Sequence, residues 1–168
     1  QTRVLESLLQ LSYGELLVDA QAQTVDAPGA GRLVVEDQRP ADSDSADQET
    51  RGTSVFRWAG GMNLLMDEGR ATLERDVRVR HAPRTIDEVT QLDCQTLVAY
   101  FTDRSTGDDA ISVTRLLASG SVYAGYRGLE VLADEIEYRA AREQITASAS
   151  ESNRVTVFDP ERAGHYTA

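Results

Sequence analysis

The sequence has one cysteine, one tryptophan, no lysine and no long apolar run. A single cysteine, Cys94, excludes an internal disulfide and any cluster of cysteines around a metal ion. No apolar stretch approaches the roughly 20 residues of a membrane-spanning helix, so no transmembrane segment is predicted in this chain. The chain begins at Gln1 without a methionine or the basic-then-apolar profile of a signal peptide, so we expect a mature fragment or a piece of a longer protein.

Acidic residues outnumber basic ones, 28 to 17, and the net charge is −11. Binding to nucleic acid needs a basic surface that displaces counterions from phosphates, so no nucleic-acid partner is expected. All 17 lysine-or-arginine positions hold arginine. The plainer explanation is codon bias in a GC-rich genome. The alternative is selection for bidentate contacts with phosphate, which a guanidinium makes better than an ammonium group.

Two stretches of the chain align with each other without a gap, one beginning at Gly14 and the other at Gly120. An alanine follows each glycine after 13 residues, at Ala27 and at Ala133. Residues 76–97 form a looser third copy. A repeated two-strand unit builds a fold by stacking, because each unit buries the apolar edge of its neighbour. The repeat therefore predicts an elongated β-layer.

Alternation of apolar and polar residues predicts strands over much of the chain. The predicted strands are Leu73 to Arg80, Asp93 to Phe101, Ile111 to Leu117, Val131 to Tyr138, Ile145 to Ala149 and Val155 to Phe158. The segment from Val4 to Leu11 has the apolar spacing of a helix. Because the repeat aligns it with a β-like stretch, we interpret it as a strand.

The apolar phase shifts within the repeats. After Cys94 the apolar positions resume at Leu97, and after Ala133 they resume at Ile136, while the first copy has Pro28-Gly29 at this place. One extra residue is what a β-bulge or sharp bend supplies. We therefore predict a corner at which each strand leaves one sheet and enters the facing one. Stacked corners would give two antiparallel layers joined along a seam, with an apolar gutter between them.

Two segments break the strand pattern and are predicted to be mobile loops. Residues 39–52 are acidic, small and free of large apolar side chains, and residues 102–109 are a shorter version. Such segments bury too little apolar surface to offset the entropy lost on ordering. Strand repeats continue on both sides of each loop, so residues 1–168 are predicted to form a single domain.

Three motifs resemble the OstA-like β-taco family of lipopolysaccharide-export proteins. They are a Gly-x-Val opening at Gly120, the element from Ala133 to Tyr138 and the closing segment from Asn153 to Pro160. The resemblance covers residues 61–168 and extends through the repeat alignment to residue 14. It implies an all-β fold in which antiparallel strand pairs stack into a folded-over, jellyroll-like β-taco with an apolar interior groove.

The same resemblance implies a function. We expect a non-enzymatic protein of the periplasm or cell envelope, related to lipopolysaccharide export, that binds an amphipathic lipid such as lipopolysaccharide. Its expected partners are related β-taco domains, joined by adding edge strands to one another. The alternative is a structural β-scaffold that docks protein partners and has a packed interior without a lipid ligand.

The inward positions of the predicted strands are the candidate lipid groove. As ordinary core they would only hold two layers together, whereas as a groove they would accept acyl chains, with Cys94, Ala99 and Ala133 leaving room. Leu92 and Ile145 are predicted to point inward as well. The candidate groove residues are Val77, Val79, Cys94, Leu97, Ala99, Val122, Val131, Ala133, Ile136, Val155 and Val157.

Arg78 and Arg80 share one strand face, and Arg84 follows nearby. These arginines are a candidate contact for a phosphate group or for the acidic edge of a partner. The alternative is that Arg78 and Arg80 pair across strands with aspartate or glutamate neighbours.

No catalytic residue, metal site or cofactor is predicted. His81 and His165 lie far apart in the sequence, and neither has another ligand at the spacing of a metal site. Asp134 and Glu135 are adjacent carboxylates, but the other copies have Pro28-Gly29 and Gln95-Thr96 at these positions, so we interpret the pair as a solvated bend. Cys94 occupies an apolar position and is predicted to be a small buried hydrophobe.

Overall fold

One antiparallel β-sheet, folded along a line of bends, makes up nearly all of the structure. The computed structural model describes residues 7–37, 52–83, 89–101, 113–142, 144–160 and 164–167. The strands are β1 (Ser7–Tyr13), β2 (Leu17–Asp19), β3 (Thr24–Pro28), β4 (Gly31–Asp37), β5 (Gly52–Trp58), β6 (Gly61–Leu65), β7 (Arg70–Pro83), β8 (Thr90–Phe101), β9 (Val113–Tyr126), β10 (Leu129–Arg139), β11 (Gln144–Ser148), β12 (Thr156–Asp159) and β13 (Gly164–Thr167). A 3₁₀ turn, Ala140–Arg142, joins β10 to β11. The predicted all-β class is confirmed.

The predicted strands are present and several are longer than predicted, except that the first two residues of the strand predicted from Ile111 lie outside the described residues. The segments Leu73 to Arg80, Asp93 to Phe101 and Val131 to Tyr138 lie inside β7, β8 and β10. The interpretation of the N-terminal segment as strand is correct for Ser7–Tyr13, which pairs with β4 along its whole length. An isolated helix of that length would be marginal in water, whereas the ladder with β4 supplies a partner for the backbone groups.

A line of bends crosses the described sheet. On β7, β8 and β10 it takes the form of register shifts between Glu74 and Val77, between Asp93 and Thr96, and between Ala133 and Glu135. Where β7 bends, Arg75 and Asp76 both have positive φ angles. The predicted corners are therefore present as β-bulges, which turn a strand while keeping both of its ends in the sheet.

In the N-terminal part, the bends are sharp enough to break each pass into two strands. The bend between β3 and β4 and the bend between β5 and β6 are held together by backbone hydrogen bonds. Gly29 N donates to Gly60 O at 2.8 Å, and Gly60 N donates to Glu74 O at 2.8 Å. The bends are thus stacked on one another across the sheet, from β3 to β7.

The line of bends divides the sheet into two half-sheets. Half-sheet I consists of β2, β3, β6, β11 and residues 70–74, 96–101, 113–119 and 135–139 of the four long strands. Half-sheet II consists of β1, β4, β5, β12, β13 and residues 77–83, 90–94, 122–126 and 129–133 of the same strands. Gly14 and Gly120, where the aligned repeats begin, both lie at bends. The hairpins that follow them lie in opposite half-sheets.

The two predicted loops lie outside the described residues, with one exception. Gly52, predicted as the last residue of the loop 39–52, is the buried first residue of β5 and pairs with Pro83 of β7. Its backbone is part of the sheet ladder, so the loop boundary was predicted one residue too far along the chain. That the remaining loop residues are mobile stays a prediction.

Candidate functional site

The floor of the apolar groove follows the line of bends and is fully buried. Leu97 and Val77 have no exposed surface, and Val122 and Ala118 are 1% exposed. Because the bulge shifts the phase by one residue, the positions before and after it both point into the fold. Side chains of both half-sheets therefore meet there in one core cluster. Its buried members are Ala27, Trp58, Met62, Leu73, Val77, Cys94, Leu97, Ala118, Val122, Ala133 and Ile136.

Away from the bends, the same apolar face becomes steadily more exposed. On β10 the inner face runs from Ala133, 8% exposed, through the partly buried Val131 to Leu129, 37% exposed. A sandwich packed to native density would cover both layers evenly. Here the half-sheets meet at the floor and leave apolar walls that solvent reaches. The wall residues are Leu16, Val25, Leu33, Phe56, Val79, Leu92, Leu116, Ala124, Val131, Ala147 and Val155.

Large apolar side chains lie exposed at the rim of the groove. Val18 on β2 is 61% exposed and Ile145 on β11 is 64% exposed, while Tyr126 and Leu129 are exposed at the β9–β10 hairpin. Ile145 was predicted to point inward with the core. It does share the inner face with Ala147, two residues on, but no described strand covers β11 on its far side, so the side chain stays in solvent.

The predicted groove residues divide between the floor and the walls. Those at the floor are buried: Val77, Cys94, Leu97, Val122, Ala133 and Ile136. Ala99 is buried on β8 beyond the floor. Val79, Val131 and Val155 lie on the walls and are partly buried, and Val157 of β12 is partly buried as well. Val157 lies beside Val131 in the register of β10 and β12. Their role in lipid binding stays a prediction.

The small residues expected to leave room in the groove are all buried: Cys94 and Ala133 at the floor, and Ala99 farther along β8. That they leave room for an acyl chain stays a prediction. Burial, together with the smaller effect of the Asp93 charge, raises the pKa of the Cys94 thiol to about 12. A thiol that stays protonated is a poor nucleophile and metal ligand. Cys94 is thus the buried hydrophobe that the sequence predicted.

Sequence reasoning missed the N-terminal share of the site. Val25, Leu33 and Phe56 lie on the walls, and Trp58 is buried at the floor with its ring over Gly31 of the neighbouring strand. The signal that could have revealed Trp58 is its position directly before Ala-Gly-Gly, which is where this pass of the chain bends.

On the outer face, Arg80 binds Asp93. Its guanidinium donates to both carboxylate oxygens, at 2.7 and 3.3 Å, and Gln91 donates to the same carboxylate at 3.0 Å. Burial raises the pKa of Asp93, but these hydrogen bonds and the charges of Arg80 and Arg78 outweigh it and hold the pKa below 3.8. The cross-strand alternative is therefore correct for Arg80. Arg78 is exposed on the same face, and Arg84 lies outside the described residues.

Asp134 and Glu135 differ in role. Glu135 is an exposed bend residue, as predicted. Asp134 accepts a hydrogen bond from Ser150 N at 2.7 Å and one from Asn153 Nδ2 at 2.8 Å, and these bonds lower its pKa below 3.8. The interpretation as a solvated bend was incomplete for Asp134, because this carboxylate anchors the turn that carries the chain from β11 to β12.

The two histidines lie on different strands, His81 on β7 and His165 on β13. His81 Nδ1 lies 2.8 Å from Ser54 Oγ of the neighbouring strand, within hydrogen-bond distance. His165 lies in β13, in register with Phe158. Within the described ranges, no three histidine, cysteine, aspartate or glutamate side chains come together as metal ligands would. Nor does this part of the chain contain a helix with the length and apolar character needed to cross a membrane.

The bent antiparallel sheet has a counterpart among solved structures. LptH from Pseudomonas aeruginosa, the LptA-homologous periplasmic component of the conserved lipopolysaccharide transport device, superposes with a TM-score of 0.58 over 96% of this chain and 94% of that chain. The chain shares the β-taco fold of LptH. The two sequences are 12% identical, so the likeness concerns the fold. No protein-family model and no curated protein match the sequence.

Proposed function

We propose that this protein is a non-enzymatic, periplasmic or cell-envelope component of lipopolysaccharide transport that holds acyl chains between its apolar walls. The observation that carries the proposal is the exposure gradient from Ala133 through Val131 to Leu129 along the inner face of β10. Each CH₂ group that leaves water against such a wall contributes roughly 0.8 kcal/mol. The β-taco fold shared with a lipopolysaccharide-transport component supports the choice of ligand.

The proposed mechanism is passive partition. Acyl chains enter from the rim, where Tyr126 and Leu129 are exposed, and lie along the walls above the buried floor. The wall side chains are aliphatic or aromatic and offer no specific polar contact, which suits a ligand of variable chain length. For a lipid to move from one protein molecule to the next, the apolar walls of the two molecules must be continuous. Lipid transfer therefore depends on edge-to-edge assembly.

The half-sheet edges are suited to such assembly. Among the described strands, β2 and β11 pair on one side only, and so do β1 and β13. Leu17 and Val18 on β2, and Ile145 on β11, expose large apolar side chains at these edges. An open edge offers unpaired backbone groups to an incoming strand. We infer that related β-taco domains add to these edges and extend the groove.

The test is a titration with a fluorescent lipid A analogue. Ala124→Phe places a ring on the inner wall of β9, and Leu117→Phe places one on the outer face of the same strand. Filling the space of about two CH₂ groups should weaken lipid binding roughly tenfold in Ala124→Phe. Leu117→Phe should bind like the parent. Equal affinities in all three proteins, or no binding by the parent, would refute the lipid groove.

The second candidate is a structural scaffold with a packed interior. The complete burial of Leu97 and Val77 favours it, since these residues hold the half-sheets together without leaving space. Native mass spectrometry distinguishes the candidates, because a scaffold should carry no co-purified amphiphile whereas a lipid carrier should.

A further inference from the structure

Three arginines lie side by side on the outer face of half-sheet II. Arg32 of β4 is in direct register with Arg57 of β5, and Arg57 is in direct register with Arg78 of β7. Adjacent strands are about 4.8 Å apart, so the row spans roughly 10 Å. We call Arg32, Arg57 and Arg78 the arginine row. All three side chains are exposed.

Like charges directly opposite each other destabilise a sheet, so the arginine row carries a cost. Arginines on the outer face elsewhere are neutralised: Arg80 binds Asp93 at 2.7 Å, and Arg139 binds Glu137 at 2.9 Å. None of the three row arginines forms a hydrogen bond or salt bridge with another described residue. On the far side of the row, Asp93 of β8 is in direct register with Arg78, and its carboxylate is already bound by Arg80.

Apolar side chains lie next to the arginine row. Val34 and Val55 are in register with each other and with Arg80, two residues along from the row on the same outer face. Both valines are only partly buried. A free anion would use the guanidinium groups alone, whereas an amphiphile at a bilayer surface presents phosphate and apolar chain side by side.

We propose that the outer face of β4, β5 and β7 binds the phosphate groups of an anionic phospholipid surface through the arginine row. Guanidinium groups pair with phosphate oxygens in a bidentate manner, and three of them at strand spacing can contact neighbouring phosphates. This surface lies on the opposite side of the sheet from the apolar groove. Binding through this surface would orient the groove away from the bilayer. The net charge of −11 does not prevent it, because salt screens the distant acidic residues while the arginine row contacts the phosphates directly.

The test is flotation with vesicles of phosphatidylglycerol and phosphatidylcholine, compared with vesicles of phosphatidylcholine alone. Arg57→Gln/Arg78→Gln removes two charges from the arginine row. Arg142→Gln/Arg154→Gln removes two exposed charges elsewhere and is the matched control. At about 1 kcal/mol per arginine near an anionic surface, the row variant should bind the anionic vesicles ~30-fold more weakly. The control should bind like the parent.

The melting temperature of the row variant should equal or exceed that of the parent, because loss of the two positive charges relieves repulsion between neighbouring strands. This separates lost binding from lost folding, and Arg57→Gln alone provides a milder variant. Failure of the parent to float with anionic vesicles, or equal loss in both double variants, would overturn the proposal. The proposal would also be overturned if free glycerol phosphate or polyglutamate displaced the protein from the anionic vesicles as effectively as an excess of unlabelled anionic vesicles does. The fluorescent-lipid titration of Ala124→Phe reports on the inner face, so the two proposals fail independently.

Discussion

At the scale of single residues, the pair Gly31 and Trp58 holds the N-terminal bends in place. The indole ring lies over Gly31, where a Cβ atom would overlap it. Trp58 is 3% exposed and belongs to the buried cluster at the floor. A glycine is therefore needed at position 31 for a close approach between a ring and a backbone, and not for a turn.

We predict that Gly31→Ala destabilises the protein by about 1–3 kcal/mol, because the ring must move out of a packed floor. Gly61→Ala is the matched control at the same line of bends, since its added Cβ would meet only Ala27 O, at 3.6 Å. Urea unfolding of both variants checks the prediction. Equal loss in the two would show that any side chain near the bends is harmful and that the ring contact is not special.

A second pair of positions separates the floor from the walls. Ala133 is buried at the floor and Ala124 is partly buried on the wall. Ala133→Phe should overpack the floor and cost about 1–3 kcal/mol, whereas Ala124→Phe should cost much less. Thermal melts of the two variants measure the difference. Similar losses would mean that the walls are as tightly packed as the floor, which favours the scaffold.

At the scale of elements, the bends need anchors as well as bulges. The bend of β10 is followed by β11 and then by the turn before β12, and the Asp134 carboxylate accepts two hydrogen bonds from that turn. A group whose pKa is lowered in the folded state stabilises the fold when it is ionised. Its contribution is complete above the unfolded-state pKa and is lost as the pH falls through the folded-state pKa.

Asp134→Ala should therefore lower the melting temperature at neutral pH, while Glu135→Ala should leave it unchanged. The difference between the parent and Asp134→Ala should shrink below a pH of about 4, as the carboxylate of the parent takes up its proton. Melting curves across this range provide the measurement. A difference that does not change with pH would show that the anchor does not depend on the charge of Asp134.

The sequence predicted some of these elements and not others, for physical reasons. The phase shift from Cys94 to Leu97 revealed a bulge because both sides of it belong to one long strand. The N-terminal bends divide this part of the chain into strands as short as Leu17–Asp19. Such strands are too short for an alternation of apolar and polar residues to be recognised in the sequence. The arginine row depends on the register between β4, β5 and β7, which long-range pairing sets. Asp134 meets a turn 16 residues later, a contact that no local pattern encodes.

At the scale of the whole molecule, the open edges and exposed rim matter most. Ile145 on the edge strand β11 is 64% exposed, next to unpaired backbone groups. Ile145→Lys should weaken edge-to-edge association, because a charge on an edge strand opposes the addition of another strand. Gln144→Lys places the same charge on the opposite face of β11. Sedimentation velocity at increasing concentration compares the two, and equal association of both variants would argue against assembly through this edge.

The central claim is that acyl chains lie against the inner walls. Val131 and Leu132 are neighbours on β10; Val131 is partly buried on the inner wall, and Leu132 is 52% exposed on the outer face. A photo-crosslinking amino acid at each position, in protein incubated with labelled lipopolysaccharide, measures contact on either side of one strand. We predict strong crosslinking from position 131 and background from position 132. Background from both positions, or equal crosslinking from both, would contradict the account.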